Sequence, residues 1–101
     1  MKGVDILDTL DVFVVSDSLG ETGAIVTNAA ISQFRSKKFN IRRFPYIYNM
    51  EQLKEILDEA AQAENAMVIY TIVDKILIDY IKEYVDASGL TAIDLMTPLF
   101  E

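Results

Sequence analysis

The chain has 101 residues, of which 51% are hydrophobic and 25% are charged. This composition fits one globular domain with one core and excludes an intrinsically disordered protein. There is no Cys and no His, which excludes disulfide frameworks, thiolate metal sites and a histidine general base, so we predict no metal site. The lack of Cys also fits a cytoplasmic location. No apolar run approaches the roughly 18–20 residues that span a bilayer, so we expect no membrane insertion.

The charges are unevenly distributed. The formal net charge of −7 argues against nucleic-acid binding. Residues 22–50, however, contain no acidic residue and five basic ones, a local net charge of +5, while the rest of the chain carries −12. This basic segment contains Arg35, Lys37, Lys38, Arg42 and Arg43. Such a run is either a site for phosphate or an acidic partner, or a solvated turn.

The first half of the chain predicts two strands around one helix. Residues 11–16 form a short apolar run rich in β-branched side chains, which is typical of a strand buried on both faces. Residues 22–33 have small side chains and apolar positions at helical spacing, which predicts a helix. Residues 39–44 alternate and end at Pro45, which predicts a second strand near a sheet edge. Residues 1–10 give no clear element and are interpreted as a flexible or added start.

The second half continues the alternation of helix and strand. Asn49 can cap a helix whose apolar stripe begins at Leu53, and residues 66–72 are another buried-strand run. Asp74 can cap a third helix, which Gly89 ends. The residues of this third helix predicted to face inward are Ile76, Leu77, Tyr80, Ile81, Tyr84 and Val85.

The order of elements predicts the fold. Residues 90–95 predict a fourth strand, and Thr97 with Pro98 predicts the start of a further helix. Alternating strands and helices imply right-handed crossovers and a parallel sheet. We therefore predict one α/β domain over residues 11–101. It is a three-layer sandwich with a four-stranded parallel sheet in the order 2-1-3-4, Rossmann-like or flavodoxin-like. In that order, ligands bind beyond the carboxyl ends of strands 1 and 3.

Residues 16–23 lie at this position, directly after the first strand. A helix start there offers free backbone N–H groups and a positive dipole end that favour phosphate, and nearby hydroxyls add donors. The candidate ligand residues are Ser16, Asp17, Ser18, Gly20, Glu21 and Thr22. The two carboxylates would repel a bare phosphate dianion unless a cation or a substrate hydroxyl is their partner. Alternatively, Ser16 or Ser18 caps the helix and the glycines form a tight turn.

Two residues that follow the third strand are secondary candidates. Thr71 and Asp74 should approach the loop at residues 16–20 across the gap between strands 1 and 3. Asp74 is either an acid or base group or the cap of the third helix.

The loop and several later blocks resemble a known family. The first block is Val12-Phe13-Val14-Val15-Ser16-Asp17-Ser18-Leu19-Gly20-Glu21-Thr22-Gly23. It is similar to the N-terminus of the pyruvate, phosphate dikinase regulatory proteins, also called the kinase-pyrophosphorylase or phosphoenolpyruvate synthetase regulatory family. The similarity continues through residues 29–34, 70–73 and 94–99, and covers about residues 11–101.

The resemblance implies a bifunctional enzyme. Such proteins phosphorylate a threonine of the dikinase or synthetase with ADP as donor and remove that phosphate by phosphorolysis, releasing pyrophosphate. ADP or ATP and phosphate are thus implied as ligands of the full-length protein. The family's glycine-rich nucleotide loop with Gly-Lys-Thr does not occur here, since no Gly is followed by Lys. We therefore interpret the chain as an N-terminal domain that lacks a C-terminal nucleotide-binding domain and is inactive alone.

Two other functions stay open. The hydroxyl-rich loop also resembles the phosphate loop of flavin mononucleotide proteins, although the short turn at residues 72–74 cannot supply the usual aromatic shield. A non-catalytic interaction module would use the basic segment to bind an acidic partner, or an apolar surface to form a homo-oligomer.

Overall fold

The computed structural model of the protein describes residues 9–33 and 38–96, which form alternating strands and helices. In chain order these are β1 (Thr9–Ser16), α1 (Glu21–Ile31), β2 (Lys38–Phe44), α2 (Met50–Gln62), β3 (Ala66–Thr71), α3 (Lys75–Ser88) and β4 (Thr91–Asp94). The strands form one parallel sheet in the order β2-β1-β3-β4, which confirms the predicted fold class and topology. β1 is an inner strand, and its residues from Val12 to Ser16 are each at most 1% exposed.

The parallel register sorts the strand side chains onto two faces of the sheet. Phe13 and Val15 of β1 share one face with Val68 and Tyr70 of β3. This face packs on α2 and α3, because each of these helices directs an apolar stripe toward it. The helix residues buried in this core are Leu53, Ile56, Leu57, Ala60, Leu77 and Ile81. Burial of each large side chain contributes roughly 1.5–3 kcal/mol, so this layer supplies most of the core.

The opposite face of the sheet, here called the α1 face, carries the alternate residues. Val14 of β1 lies beside Arg43 of β2 and Ile69 of β3, and Ile69 lies beside Ile93 of β4. α1 packs on this face against β1 and β3. A Cβ atom on Gly23 would lie 3.0 Å from Val14 Cγ1, so a glycine is needed where α1 approaches the sheet most closely.

The boundaries of α2 and α3 follow the capping residues predicted from the sequence. The Asn49 side chain accepts a hydrogen bond from the Gln52 N–H at 2.9 Å, and Gln52 Oε1 accepts one from the Tyr48 N–H at 2.8 Å. Gly89 ends α3 in the left-handed conformation with φ of 76°.

The structure corrects two details. β1 begins at Thr9, within the segment that gave no predicted element, because the Thr9 carbonyl and the Asp11 N–H both bond to Asn65. Ile76 was predicted to face inward and is 68% exposed, because it lies in the first turn of α3, beyond the end of β3. The helix predicted to start at Thr97 lies outside the described residues.

Candidate functional site

The candidate site lies at the carboxyl end of β1, where the chain passes from the sheet into α1. β1 is flanked there by β2 and β3, whose connections to α2 and α3 leave the same edge of the sheet. The order of the strands reverses at this point, as in other doubly wound sheets that bind ligands.

Ser16 organises the loop from inside the protein. Its hydroxyl lies 3.2 Å from the Thr71 carbonyl, to which it donates, and accepts a hydrogen bond from the Ser18 N–H at 3.1 Å. Its carbonyl accepts a hydrogen bond from the Ile47 N–H at 2.9 Å, and the Ser18 carbonyl accepts one from Tyr46 N–H at 2.9 Å. Because Ser16 is 1% exposed, its side chain holds the turn and does not line the cavity beside it.

Asp17 connects this loop to the turn that follows β3. Its carboxylate accepts hydrogen bonds from the Val73 N–H at 2.9 Å and the Asp74 N–H at 3.3 Å. The Asp74 carboxylate in turn accepts from the Ile76 and Leu77 amides, so Asp74 caps α3. Of the three carboxylates predicted as site candidates, Asp17 and Asp74 are therefore engaged with backbone amides, and Glu21 has no such bond among the described residues.

The start of α1 differs from the starts of the other two helices. Its N-cap is Gly20, with φ of 84° and no side-chain cap hydrogen bond. The alternative that Ser16 or Ser18 caps the helix is therefore wrong, because both hydroxyls are directed into the preceding turn. Within the described residues, the amides of residues 21–23 have no hydrogen-bond acceptor. The first turn of α1 thus presents free N–H groups and a positive dipole end.

A cavity of about 280 Å³ opens at this helix start. Its lining residues are Asp17, Ser18, Leu19, Gly20, Glu21, Thr22, Thr71, Val73 and Met96. Thr71 is only 6% exposed, and its hydroxyl has no hydrogen-bond partner among the described residues. Gly23 allows α1 to approach Thr71 closely, since a Cβ atom on residue 23 would lie 3.3 Å from Thr71 Cγ2. A hydroxyl without a partner in the described protein and the free amides of α1 therefore border one cavity.

The sequence identified the polar lining of this cavity and missed its apolar part. Leu19, Val73 and Met96 also border it. Their positions beside the carboxyl ends of β1, β3 and β4 were a usable signal, because parallel strands end at one edge of a sheet.

The basic segment does not form one patch. Arg42 pairs with Glu59 of α2 and lies over the rings of Phe13 and Phe44, 5.2 and 5.1 Å from their centroids. Arg43, on the opposite face, donates a hydrogen bond to the Leu19 carbonyl at 3.3 Å. Lys38 lies at the far end of β2, and the remaining two members, Arg35 and Lys37, lie outside the described residues. Of the described basic residues in this segment, Arg43 is the one held at the loop.

Two kinds of feature are absent from the part of the chain that the structure describes. No group of three or more acidic side chains is placed to hold a metal ion among residues 9–33 and 38–96. None of the three described helices is long and apolar enough to cross a bilayer.

Comparison with known proteins gives consistent matches. A sequence model with the description kinase/pyrophosphorylase matches residues 12–101. A relative from Clostridioides difficile, named as a pyruvate, phosphate dikinase regulatory protein, is 43% identical over 95 residues, covering 93% of this chain and 34% of the relative. A relative of the same name from Carboxydothermus hydrogenoformans is 41% identical over 90 residues, covering 89% of this chain and 32% of its own length. The chain spans about a third of the length of these relatives.

Proposed function

Because the chain belongs to the kinase/pyrophosphorylase family, we propose that it forms the N-terminal domain of a regulatory protein of pyruvate, phosphate dikinase or phosphoenolpyruvate synthetase. The whole protein would phosphorylate a threonine of its target with ADP as donor, and would remove that phosphate with inorganic phosphate as acceptor, releasing pyrophosphate. The names of the relatives and the share of their length that this chain matches support the proposal. The glycine-rich nucleotide loop lies in the rest of such a protein, since no Gly of this chain precedes a Lys.

Within this scheme, the loop at residues 16–23 binds a phosphoryl group or pyrophosphate. The observation that carries this proposal is the Thr71 hydroxyl, which has no hydrogen bond to the described protein and borders the same cavity as the free amides of α1. Such a hydroxyl is available to a ligand that enters the cavity. A phosphate oxygen would accept hydrogen bonds from this hydroxyl and from the amides together.

The surrounding charges are compatible with an anion. Asp17 directs its carboxylate at the amides of Val73 and Asp74, which compensates the negative charge that would otherwise oppose phosphate. Arg43 adds a guanidinium at the Leu19 carbonyl, on the other side of the loop. Glu21 stays exposed at the first position of α1 and is the one acidic side chain of this loop without such a contact in the described structure.

The flavin alternative receives no support from the fold. The connection from β3 to α3 has three residues, 72–74, and Asp17 binds the amides of two of them. A connection so short and so restrained cannot fold over an isoalloxazine ring.

Titration with inorganic pyrophosphate, followed by backbone amide resonances of the 101-residue chain, tests the proposed site. We expect the resonances of residues 18–23 to shift at millimolar ligand. Thr71→Val should weaken binding about 10- to 100-fold, because one hydrogen bond to a charged ligand contributes about 1.5–3 kcal/mol. Thr91→Val is the matched control, since Thr91 is exposed at the opposite end of the sheet. Unmoved resonances at the loop, or equal effects of the two substitutions, would contradict the proposal.

A further inference from the structure

We propose that α1 and the adjoining strip of the α1 face form the docking surface for the rest of the family's polypeptide, the two thirds that the relatives have and this chain does not match. The inference rests on the proposed role of the chain as one domain of a longer regulatory protein, and does not depend on the anion loop. It assigns a place in the fold to an interface that nothing in the family comparison locates.

The composition of α1 is the first observation. The helix contains one charged residue, Glu21, in 11 positions. α2 and α3 instead carry charged residues along their outer sides, which is the pattern of helices with one face in water. The exposed side of α1 carries Thr22 and Asn28 beside apolar side chains, and Ile25 and Val26 there are 66% and 44% exposed. Large exposed apolar side chains on a helix with a single charged residue favour contact with another part of the protein.

The sheet beneath α1 is the second observation. α2 and α3 cover one face, whereas α1 is the sole described helix on the other and packs on β1 and β3. Ile93 of the edge strand β4 is 42% exposed on this face, and Met67 and Ile69 beside it are only partly covered. An apolar groove of about 420 Å³ runs between these residues and the second half of α1.

The groove also contains a polar group without a partner. The Thr27 hydroxyl lines it, is buried, and has no hydrogen-bond partner in the described structure. Apart from this hydroxyl and Asn65, the lining that the described residues provide is apolar and contains no charged side chain. The occupant that fits is therefore an uncharged apolar stripe, of the kind a helix or strand presents inside a protein, and not an acidic or basic partner.

The share of the relatives that this chain matches favours the rest of the family's polypeptide as the occupant. In the family the matched domain is joined to about twice its own length of polypeptide. An interface between two domains of one chain typically covers 600–1,500 Å², and a surface with several exposed apolar side chains is where such an interface is most favourable. A second copy of this chain remains the competing occupant, and the experiment separates the two.

Thiol accessibility tests the proposal, because the chain has no native Cys. Ile25→Cys and Ile93→Cys place a thiol on the proposed surface, and Ile76→Cys is the control on α3, 68% exposed and away from the α1 face. Each variant is made in the 101-residue chain and in a full-length protein in which this chain replaces the matched part of the Clostridioides difficile relative. Mass spectrometry locates the labelled thiols.

We expect all three thiols to react readily in the 101-residue chain. In the full-length protein, Ile25→Cys and Ile93→Cys should react at least tenfold more slowly, while Ile76→Cys reacts within about twofold of its rate in the short chain. Equal rates in both proteins would overturn the proposal. Protection in the short chain that grows with its concentration would also overturn it, since the occupant is then a second copy.

A hydrogen-exchange measurement on the unmodified full-length relative is independent of any substitution. Its segment matching α1 should exchange at least tenfold more slowly than α1 of this chain, and equal exchange contradicts the inference.

Discussion

Thr27→Val should stabilise the protein, which is unusual for a substitution in a core. Thr27 is 2% exposed on α1, and its hydroxyl has no partner among the described residues. Thr in a helix commonly donates to a carbonyl one turn earlier, which offsets the loss of water. Here that compensation is missing, and the hydroxyl lies against the apolar side chains of the groove.

The magnitude follows from three contributions. Burying an unpaired hydroxyl costs about 1–3 kcal/mol, and Val removes this cost. Val and Thr have nearly the same shape, so the substitution leaves no cavity. Both are β-branched and have similar helix propensities, so α1 itself is little affected. We therefore expect the free energy of unfolding to rise by about 1 kcal/mol and the melting temperature by about 4–8 °C.

Urea denaturation and thermal melting, both followed by circular dichroism, measure this change. Thr22→Val is the matched control, because Thr22 lies on the same helix and is exposed. Its effect should stay within about 0.5 kcal/mol. A Thr27→Val protein that is less stable than the parent, or that differs from it no more than the control does, would refute the reasoning and show that the hydroxyl has a compensating partner.

Other predictions concern the two ends of α3 and its contact with α2. Burial, and next the hydrogen bond to Asp58, raises the pKa of Tyr84 to about 12. The protonated Tyr84 side chain should therefore make its full contribution to the free energy of unfolding below pH 10, and this contribution should be lost as the pH rises through about 12. Tyr84→Phe should remove this dependence from urea midpoints measured across that range. A variant with the same alkaline profile as the parent would contradict the assignment. Asp17→Ala should lower the free energy of unfolding by about 1–2 kcal/mol and speed amide exchange at Val73, and unchanged exchange there would show that the carboxylate does not restrain the turn. Gly89→Ala should cost about 1 kcal/mol in urea denaturation, from backbone strain alone, because a Cβ there meets nothing within 4 Å. A loss several times larger would mean that the side chain clashes.

The fold was predictable because its signals are local. The apolar run of β1 and the caps Asn49 and Asp74 each fix one boundary, and all of them act within a few residues. Alternation of strands and helices then leaves few topologies, because crossovers are right-handed. Ile76 was wrongly predicted to face inward because helical periodicity gives the direction of a side chain around the helix axis. It does not show where along that axis the sheet ends.

The candidate site was only partly predictable. Its place at the end of β1 followed from topology, but the roles of its residues depend on contacts between segments far apart in sequence. Ser16 and Asp17 have the donors and acceptors expected of ligand residues, yet they bind the end of β3 and the connection after it, more than 50 residues away. No pattern within the loop distinguishes a hydroxyl that holds a turn from one that faces a cavity. The unpaired hydroxyl of Thr71 becomes evident only when Gly23 brings α1 against it.

The position of β1 between β2 and β3 also matters while the protein is being synthesised. β1 leaves the ribosome before either of its neighbours, and β3 begins about 50 residues after β1 ends. At roughly 5–20 residues per second, about 3–10 s pass before that second neighbour exists. During this interval the strand that is most buried in the folded protein has at most one basic edge strand to pair with. The nascent chain is therefore most open to chaperones and to misassociation before α2 and β3 have been made.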